Sequence, residues 1–448
     1  MIPSSRAPRN RSTVLGFCMF CAGEDTSMKL VQWLILVTAL AATPYLSAST
    51  IHVPKDQPTI QAGIDAAQNG DVVLVSPGTY TENIDFKGKA ITVRSAKGAS
   101  TTIIDGGGAY QTVSLDSGET SSSVLEGFTI RDGFCAFNSN FSAGGISIGN
   151  SSPTIRNNVV TRNFGVGIGV YYGAPLIIHN QIIKNTYGSG TYCGPANGSG
   201  ILLYGQGTHY GLGSVQIIGN DISLNVAPSA DGAGIYLWIG GAPLIENNFI
   251  EFNQSGSSGG GITMQNSGAP LIIQNLIIGN KAGSVGGGLD LEIPNDGSTA
   301  TLVNNTIAGN HAGNESQGQT GPEVYVSGFY GTMTFWNNII TGHNANAVVY
   351  CDPLYGAPSP SFYNNDAFSP DGSDYAGTCS GETGQNGNIS ADPKFVNKSK
   401  RNYRLRKASP AINAGTNSAP DIPKTDLAGH PRIVGGIIDI GAYEYQGN

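Results

Sequence analysis

An asparagine recurs at positions 158, 180, 220, 248, 275, 305, 338 and 365, and a second follows at 163, 185, 225, 253, 280 and 310. The segments around them read TIRNNVVTRN, LIIHNQIIKN, QIIGNDISLN, LIENNFIEFN, LIIQNLIIGN, TLVNNTIAGN and TFWNNIITGH, and SFYNND opens an eighth copy. Apolar residues alternate over four to five positions and then break at Asn or Gly. No 3.6-residue stripe is present, which excludes helical repeats. Each unit predicts two short β-branched strands joined by a tight turn at the first Asn, a residue that tolerates left-handed backbone. Stacked Asn side chains can also hydrogen-bond up a column, as in cross-β ladders. Spacings of 22 to 40 residues suit one coil per repeat, with loops of varying length at one place.

A third strand follows a glycine in each coil, beginning at Gly145, Gly167, Gly200, Gly234, Gly261 and Gly288. Three strands per coil with corner turns describe an all-β, parallel β-helix. At about 4.8 Å per coil, eight coils give a prism roughly 40 Å long. A length of 448 residues would by itself suggest several domains. A stack with one continuous core needs no internal boundary, and 64 glycines with only 12% charged residues fit such a stack.

Both ends of the stack must be covered. Pro58 to Ala67 reads as a short amphipathic helix that plugs the N-terminal end with Ile60 and Ile64. DVVLVSPGTY, AITVRS and TTIIDG follow as the first coils. Residues 50–387 are thus assigned to the β-helix. Residues 388–448, through NYRLRKASPAINAG and IDIGAYEY, are assigned as closing strands of the same domain.

The opening IHVPKDQPTIQAGIDAAQNGDVVLVSPGTYTENIDF resembles the N-terminal signature of secreted, pectin-lyase-like right-handed β-helix proteins. The close, ADPKFVN, YRLRKASPAINAG and IDIGAYEY, is similar to C-terminal segments of exported bacterial β-helix proteins. With the ladder, the resemblance spans residues 50 to 448 and implies a right-handed helix and export. It implies no single activity, because the group contains lyases, hydrolases, epimerases and proteins without assigned chemistry. An aspartate trio of the polygalacturonase type is missing. So is the Arg/Lys pair with clustered calcium carboxylates found in pectate-lyase-like enzymes.

Export is also expected from the segment beginning at Met28. Lys29 supplies a positive start, Trp33 to Ala42 is apolar, and Leu46-Ser47-Ala48 offers a cleavage site. Ten apolar residues are too few to span a bilayer, so residues 28–49 read as a signal peptide and residues 1–27 as an over-extended start. The expected location is the medium or the cell envelope, without a membrane anchor. Cys135, Cys193, Cys351 and Cys379 then meet an oxidising compartment. Cys351 and Cys379 flank one loop and are expected to pair; Cys135–Cys193 is the remaining pair, although four cysteines allow three pairings.

Period-two alternation sorts the third strand into faces. With the Ile or Leu after each Gly pointing inward, one outward column reads Ser147, Gly169, Leu202, Tyr236, Thr263, Asp290. The other reads Gly149, Tyr171, Tyr204, Trp238, Gln265, Glu292, and Tyr325 joins from a later strand. Aromatic faces cover the flat C–H faces of sugars, and carboxylates and amides take the hydroxyls. Tyr171, Tyr204, Tyr236, Trp238, Gln265 and Tyr325 are therefore the candidate glycan contacts. Stacked Tyr columns that merely stabilise the sheet are the competing reading. Asp290 and Glu292, two apart on one strand, are the candidate acid/base pair for a glycosidic bond. A solvated acidic edge or a calcium contact is the alternative for them. No cofactor is required by the sequence, and calcium is the one ion that these carboxylates would suit.

Six scattered histidines lack metal spacing. A formal charge of −8 argues against a nucleic-acid partner. Glu246, Glu251 and Asp231 read as surface charges, and the basic run from Lys394 to Lys407 as a solvated edge. The expectation is a monomeric, exported protein that binds, and as an enzyme would cut, a polysaccharide or cell-surface glycan by lyase or hydrolase chemistry. A non-catalytic adhesive or structural β-helix with contacts on loops 186–200 and 311–322 is the rival.

Overall fold

The computed structural model describes residues 48–135, 143–188, 197–205, 215–238, 241–265, 268–313, 321–342, 347–356 and 358–447. Residues 1–47, Cys193, His209, His343 and much of loops 186–200 and 311–322 lie outside the described residues. Ala48–Asn448 is one compact unit.

Coils stack by parallel pairing. Among the described residues, sheet 1 has twelve strands from Thr50–Val53 to Ser361–Tyr363. Sheet 2 has eleven, from Gly78–Thr81 to Asp366–Phe368, and sheet 3 has eleven, from Ile84–Asp85 to Tyr375–Gly377. Thr154–Arg156, Val159–Thr161 and Val166–Tyr171 are the three sides of one coil, in that order. A narrow fourth strip, beginning at Val226–Ala227 and ending at His311–Ala312, lies in the chain between sheets 2 and 3. Inward residues stack in register, so Ile155 lies between Leu125 and Ile177 and forms part of one continuous buried core.

The ladder asparagines work through buried side chains. Asn220 donates its main-chain N–H and its Nδ2 to Asn248 Oδ1, at 2.9 and 3.0 Å, and its Nδ2 also reaches Ile177 O at 3.0 Å. The same pattern carries the first ladder through Asn305 and Asn338 to Asn388. The second runs from Asn163 to Asn310 and ends on Glu323. Buried amides are thereby satisfied by partners above and below. One expectation needs correction. The left-handed residue is not the ladder Asn but the one before it: Asn157, His179, Asn247 and Gln274 have φ of 56, 55, 59 and 56°. The corner is turned by a residue whose side chain points outward, which leaves the next Asn free to point in. At the second corner even Leu224 and Phe252 take φ of 59 and 55°.

The N-terminal plug is as expected, with helix α1 spanning Ile60–Ala66 and Ile60, Gly63 and Ile64 buried. Its first N–H groups have no partner inside the helix. Glu82 accepts from Ile60 N and Gln61 N at 3.0 Å, and Thr59 Oγ1 from Ala62 N at 3.0 Å. At the other end, Lys89 Nζ donates to Ile64, Asp65 and Ala67 carbonyls at 2.7–2.8 Å.

The C-terminal segment departs from expectation. Phe395–Asn397 and Asn402–Leu405 form an antiparallel hairpin, but IDIGAYEY forms no strand. The segment lies along the side of the prism, where Phe395, Tyr403, Leu405 and Ile440 pack with Leu276, Ile278 and Ile339. Those outward residues of sheet 2 are apolar, and the segment covers them. Glu251 is not a surface charge: it is 1% exposed and pairs with Arg401. The basic run is not simply solvated either, since Arg401 lies over the Phe252 ring and Arg404 over that of Tyr443. Within the segment, Asp439 and Glu444 accept main-chain N–H groups from Asn413, Tyr445, Val434 and Asp439 at 2.6–3.0 Å. The Cys351–Cys379 disulfide is formed. Cys135 is also disulfide-bonded, and the expected partner lies outside the described residues.

Candidate functional site

Sheet 3 carries the candidate residues, and its register matches the alternation. Leu202, Tyr236, Thr263, Asp290, Tyr325 and Tyr350 are neighbours in successive coils. Tyr171, Tyr204, Trp238 and Gln265 form the parallel row, and Glu292 follows in the next coil beside Ser327.

Outward does not mean solvent-facing for the first row. Tyr236 and Thr263 are fully buried, and Asp290 is 6% exposed. The cause is a glycine in the loop that precedes each strand. Gly232, Gly259 and Gly286 have φ of 66, 63 and 62°, which favours glycine. A Cβ on Gly232 would meet Tyr236 Cβ at 2.7 Å, and one on Gly286 would meet Asp290 Cβ at 2.8 Å. Each loop thus folds over the first outward residue of its own strand. A second apolar cluster results outside the prism, containing Tyr171, Leu202, Ala233 and Tyr236.

The second row is open. Tyr204, Trp238, Gln265 and Glu292 are half-buried. Tyr204 and Trp238 meet edge to face with centroids 5.2 Å apart, and the buried rings of Tyr171 and Tyr236 pack against them at 6.1 and 6.3 Å. Tyr171 and Tyr236 therefore back the row rather than present their faces to solvent. The Tyr236 hydroxyl donates to Gln265 Oε1 at 2.6 Å and accepts from Asn197 Nδ2 at 3.0 Å, fixing the amide in the row. Burial raises the pKa of that hydroxyl. Further along, the Tyr325 hydroxyl donates to Asp352 Oδ2 at 2.6 Å and its ring stacks on Tyr350 at 5.9 Å.

Asp290 sits between Thr263 and Tyr325 in the sheet. Burial holds its carboxyl well above the usual range, and the charges of Asp231 and Glu292 push it further. A carboxyl whose charged form is disfavoured by burial suits a proton donor. Asp231 is a site residue missed by the sequence reading. Its Oδ1 accepts from Ser258 N at 2.8 Å, within the loops that cover Tyr236, and its charge is felt by both Tyr236 and Asp290. The repeated glycine before each strand was the signal that these loops fold back. Among the described residues, no group of three or more His, Cys, Asp or Glu side chains is arranged to hold a metal.

The family model described as right handed beta helix region matches residues 191–367. The fold is that of a right-handed parallel β-helix. Among solved structures, the chain is similar to pectate lyase Pel9A, at 18% identity over 86% of this chain and 90% of that one, with a TM-score of 0.47. It is also similar to the catalytic unit of a GH87 α-1,3-glucanase from Streptomyces thermodiastaticus, at 15% identity over 75% and 70%, TM-score 0.35. A third is the PL6 family alginate lyase AlyGC, at 14% identity over 85% and 60%, TM-score 0.36. No curated protein matches the chain. At these identities the likeness is one of fold alone.

Proposed function

We propose that this protein is exported and binds an extended polysaccharide along sheet 3, on the row Tyr204, Trp238, Gln265 and Glu292. The observation that carries the reading is the open row itself. Two aromatic rings, an oriented amide and a carboxylate occur in consecutive coils on a rigid sheet. The coil repeat of about 4.8 Å is close to the length of one sugar in an extended chain, so successive rings can meet successive sugars. Amphipathic rings and oriented polar groups are what a site for such a ligand needs. The buried Cys351–Cys379 disulfide supports export, because such bonds persist in oxidising compartments.

Acid–base chemistry on the bound chain is the second reading, favoured by Asp290. In it Asp290 and Glu292, two apart on one strand and so on one side of a bound chain, are the acid–base pair, and the loop folded over Asp290 must leave its carboxyl within reach of the bond.

The test is a glycan panel presented to residues 50–447, as wild type and as Trp238→Ala with Tyr204→Ala. Binding lost in the variant, with an unchanged far-UV spectrum, supports the row as the site; binding retained by it removes the assignment. Bound glycans are then assayed for new reducing ends and unsaturated sugars with Asp290→Asn and Glu292→Gln. Cleavage that survives both substitutions removes the acid–base reading. Running each assay with added calcium and with chelator tests for an ion at Glu292.

A further inference from the structure

The charge around sheet 3 is one-sided. Between Asn185 and Pro393 the chain has fifteen Asp and Glu residues and a single Lys or Arg, Lys281. The described strands of sheet 3 contain no Lys, Arg or His at all. The segments that leave sheet 3 toward sheet 1 contain no Lys or Arg from Asn150 to Pro360, and only His209 among them carries an ionisable nitrogen. Lys281 lies elsewhere, exposed on the narrow strip before the strand that holds Asp290. Against this stand Glu292 on the strand that also holds the buried Asp290, Asp231 in the covering loops, and Asp352 two coils further on.

We propose that the row on sheet 3 takes a glycan that carries no negative charge, and that it rejects polyuronate and sulfated chains. The proposal rests on the reading of sheet 3 as the glycan face. Polyanion sites place Arg or Lys where the ligand's charges fall, because a planar guanidinium or an ammonium must offset each anionic group. Here a uronate or sulfate would meet Glu292 and Asp352, and no cation on the described strands. One like-charge contact at ion-pair distance lowers affinity about fivefold even in hydrated surroundings, and more in a partly buried groove. A neutral chain avoids that cost, and its hydroxyls can donate to Glu292, Asp352 and the Gln265 carbonyl.

The charge pattern also separates two chemistries. Elimination at a uronate removes a proton beside a carboxylate, and that carboxylate must be neutralised for the proton to leave. Hydrolysis of a neutral glycoside needs only a proton donor and a water. The row, with the Glu292 carboxylate and no cation on the described strands, suits the second chemistry.

The experiment compares affinity for soluble neutral glycans (xylan, mixed-linkage glucan, galactomannan) with polygalacturonate, alginate and a sulfated galactan. Wild type, Trp238→Ala and Glu292→Gln are each measured at about 20 and 300 mM salt, a range across which screening of surface charge changes strongly. The expected result is binding of a neutral glycan, lost in Trp238→Ala and insensitive to salt. Polyanions should bind at least about tenfold more weakly at low salt, and should gain affinity with salt and with Glu292→Gln. Polyanion binding that is tighter than neutral binding, lost in Trp238→Ala and weakened by salt overturns the charge proposal while leaving the glycan face standing. A well-folded wild type that binds no member of either class overturns the glycan face, and the charge proposal with it.

Discussion

Asn310 Nδ2 donates to Glu323 Oε2 at 2.6 Å, and the Asn310 main-chain N–H points to the same carboxylate at 3.1 and 3.2 Å. The second asparagine ladder therefore ends on a carboxylate, buried at 0% exposure, in the place where another Asn would stand. A column of amides needs an acceptor at its last member, and a carboxylate accepts two donors at once.

Glu323→Ala should be one of the most destabilising single changes in the protein. It strands both Asn310 donors in the core, at a cost of about 2–4 kcal/mol, whereas Glu323→Gln keeps one acceptor and should cost roughly half as much. Urea unfolding of the three proteins measures the difference. Equal midpoints for Glu323→Ala and wild type would mean that the ladder has another terminus.

The Arg401–Glu251 pair fastens the C-terminal segment to sheet 2. Glu251 is 1% exposed, so removal of Arg401 leaves a buried carboxylate without its cation. Arg401 itself is about half exposed, which places the expected cost of Arg401→Ala near the lower end, about 2 kcal/mol. Adding Glu251→Gln to that variant should recover part of the loss. Limited proteolysis reports on the segment directly: cleavage after residue 388 should speed up in Arg401→Ala and slow again in the double variant. Identical digestion of all three would show that the pair does not hold the segment down.

The ladder was legible because it is a buried motif repeated once per coil, so its spacing survives loops of any length. Asn158 and Asn163 announce two corners before any tertiary argument is made. The doublets Asn157-Asn158, Asn247-Asn248 and Asn304-Asn305 held a further message that alternation missed: the first Asn turns the corner and the second joins the ladder. The register of sheet 3 was legible for a similar reason, because a glycine marks the start of each strand. The burial of Tyr236 and Asp290 was not. It depends on the path of the loop at Gly232 and Gly286, which strand periodicity does not encode. Nor was the docking of residues 389–447, since Arg401 and Glu251 are far apart in the chain and neither carries a local signal of its partner.

Asp366 gives a pH dependence with a defined sign. It lies on the outer face of sheet 2, fully buried; Oδ1 accepts from Ala391 N at 3.0 Å and Oδ2 has no partner among the described residues. Burial pushes its carboxyl up to about 7. An acid whose folded pKa lies above its unfolded value binds its proton more tightly in the folded state. Its ionisation therefore costs nothing below the unfolded value near 4, destabilises progressively as pH rises from there to about 7, and the cost levels off above that. Asp366→Asn removes that cost, so the variant should gain on the order of 3 kcal/mol over wild type at pH 8 and nothing at pH 4. Thermal melts at the two pH values check it, and an equal difference at both would place the effect in packing instead of ionisation.

The hydroxyl of Tyr236 offers a way to separate the site from the scaffold. It is buried, donates to Gln265 Oε1 at 2.6 Å and accepts from Asn197 Nδ2 at 3.0 Å. Tyr236→Phe keeps the ring that backs Trp238 and deletes only these two bonds. Gln265 is half-exposed, so water can replace the lost partner there, and the stability change should stay near 1 kcal/mol. The amide loses its fixed orientation, and glycan affinity should then fall about threefold to tenfold, the range expected for one polar contact left imperfectly aligned. Gln265→Ala should lower affinity by a similar factor, and the double variant should add little, because both changes remove the same oriented amide. Calorimetric titration with the glycan identified in the panel measures all three. Additive losses in the double variant would mean that Tyr236 acts on the ligand independently of Gln265.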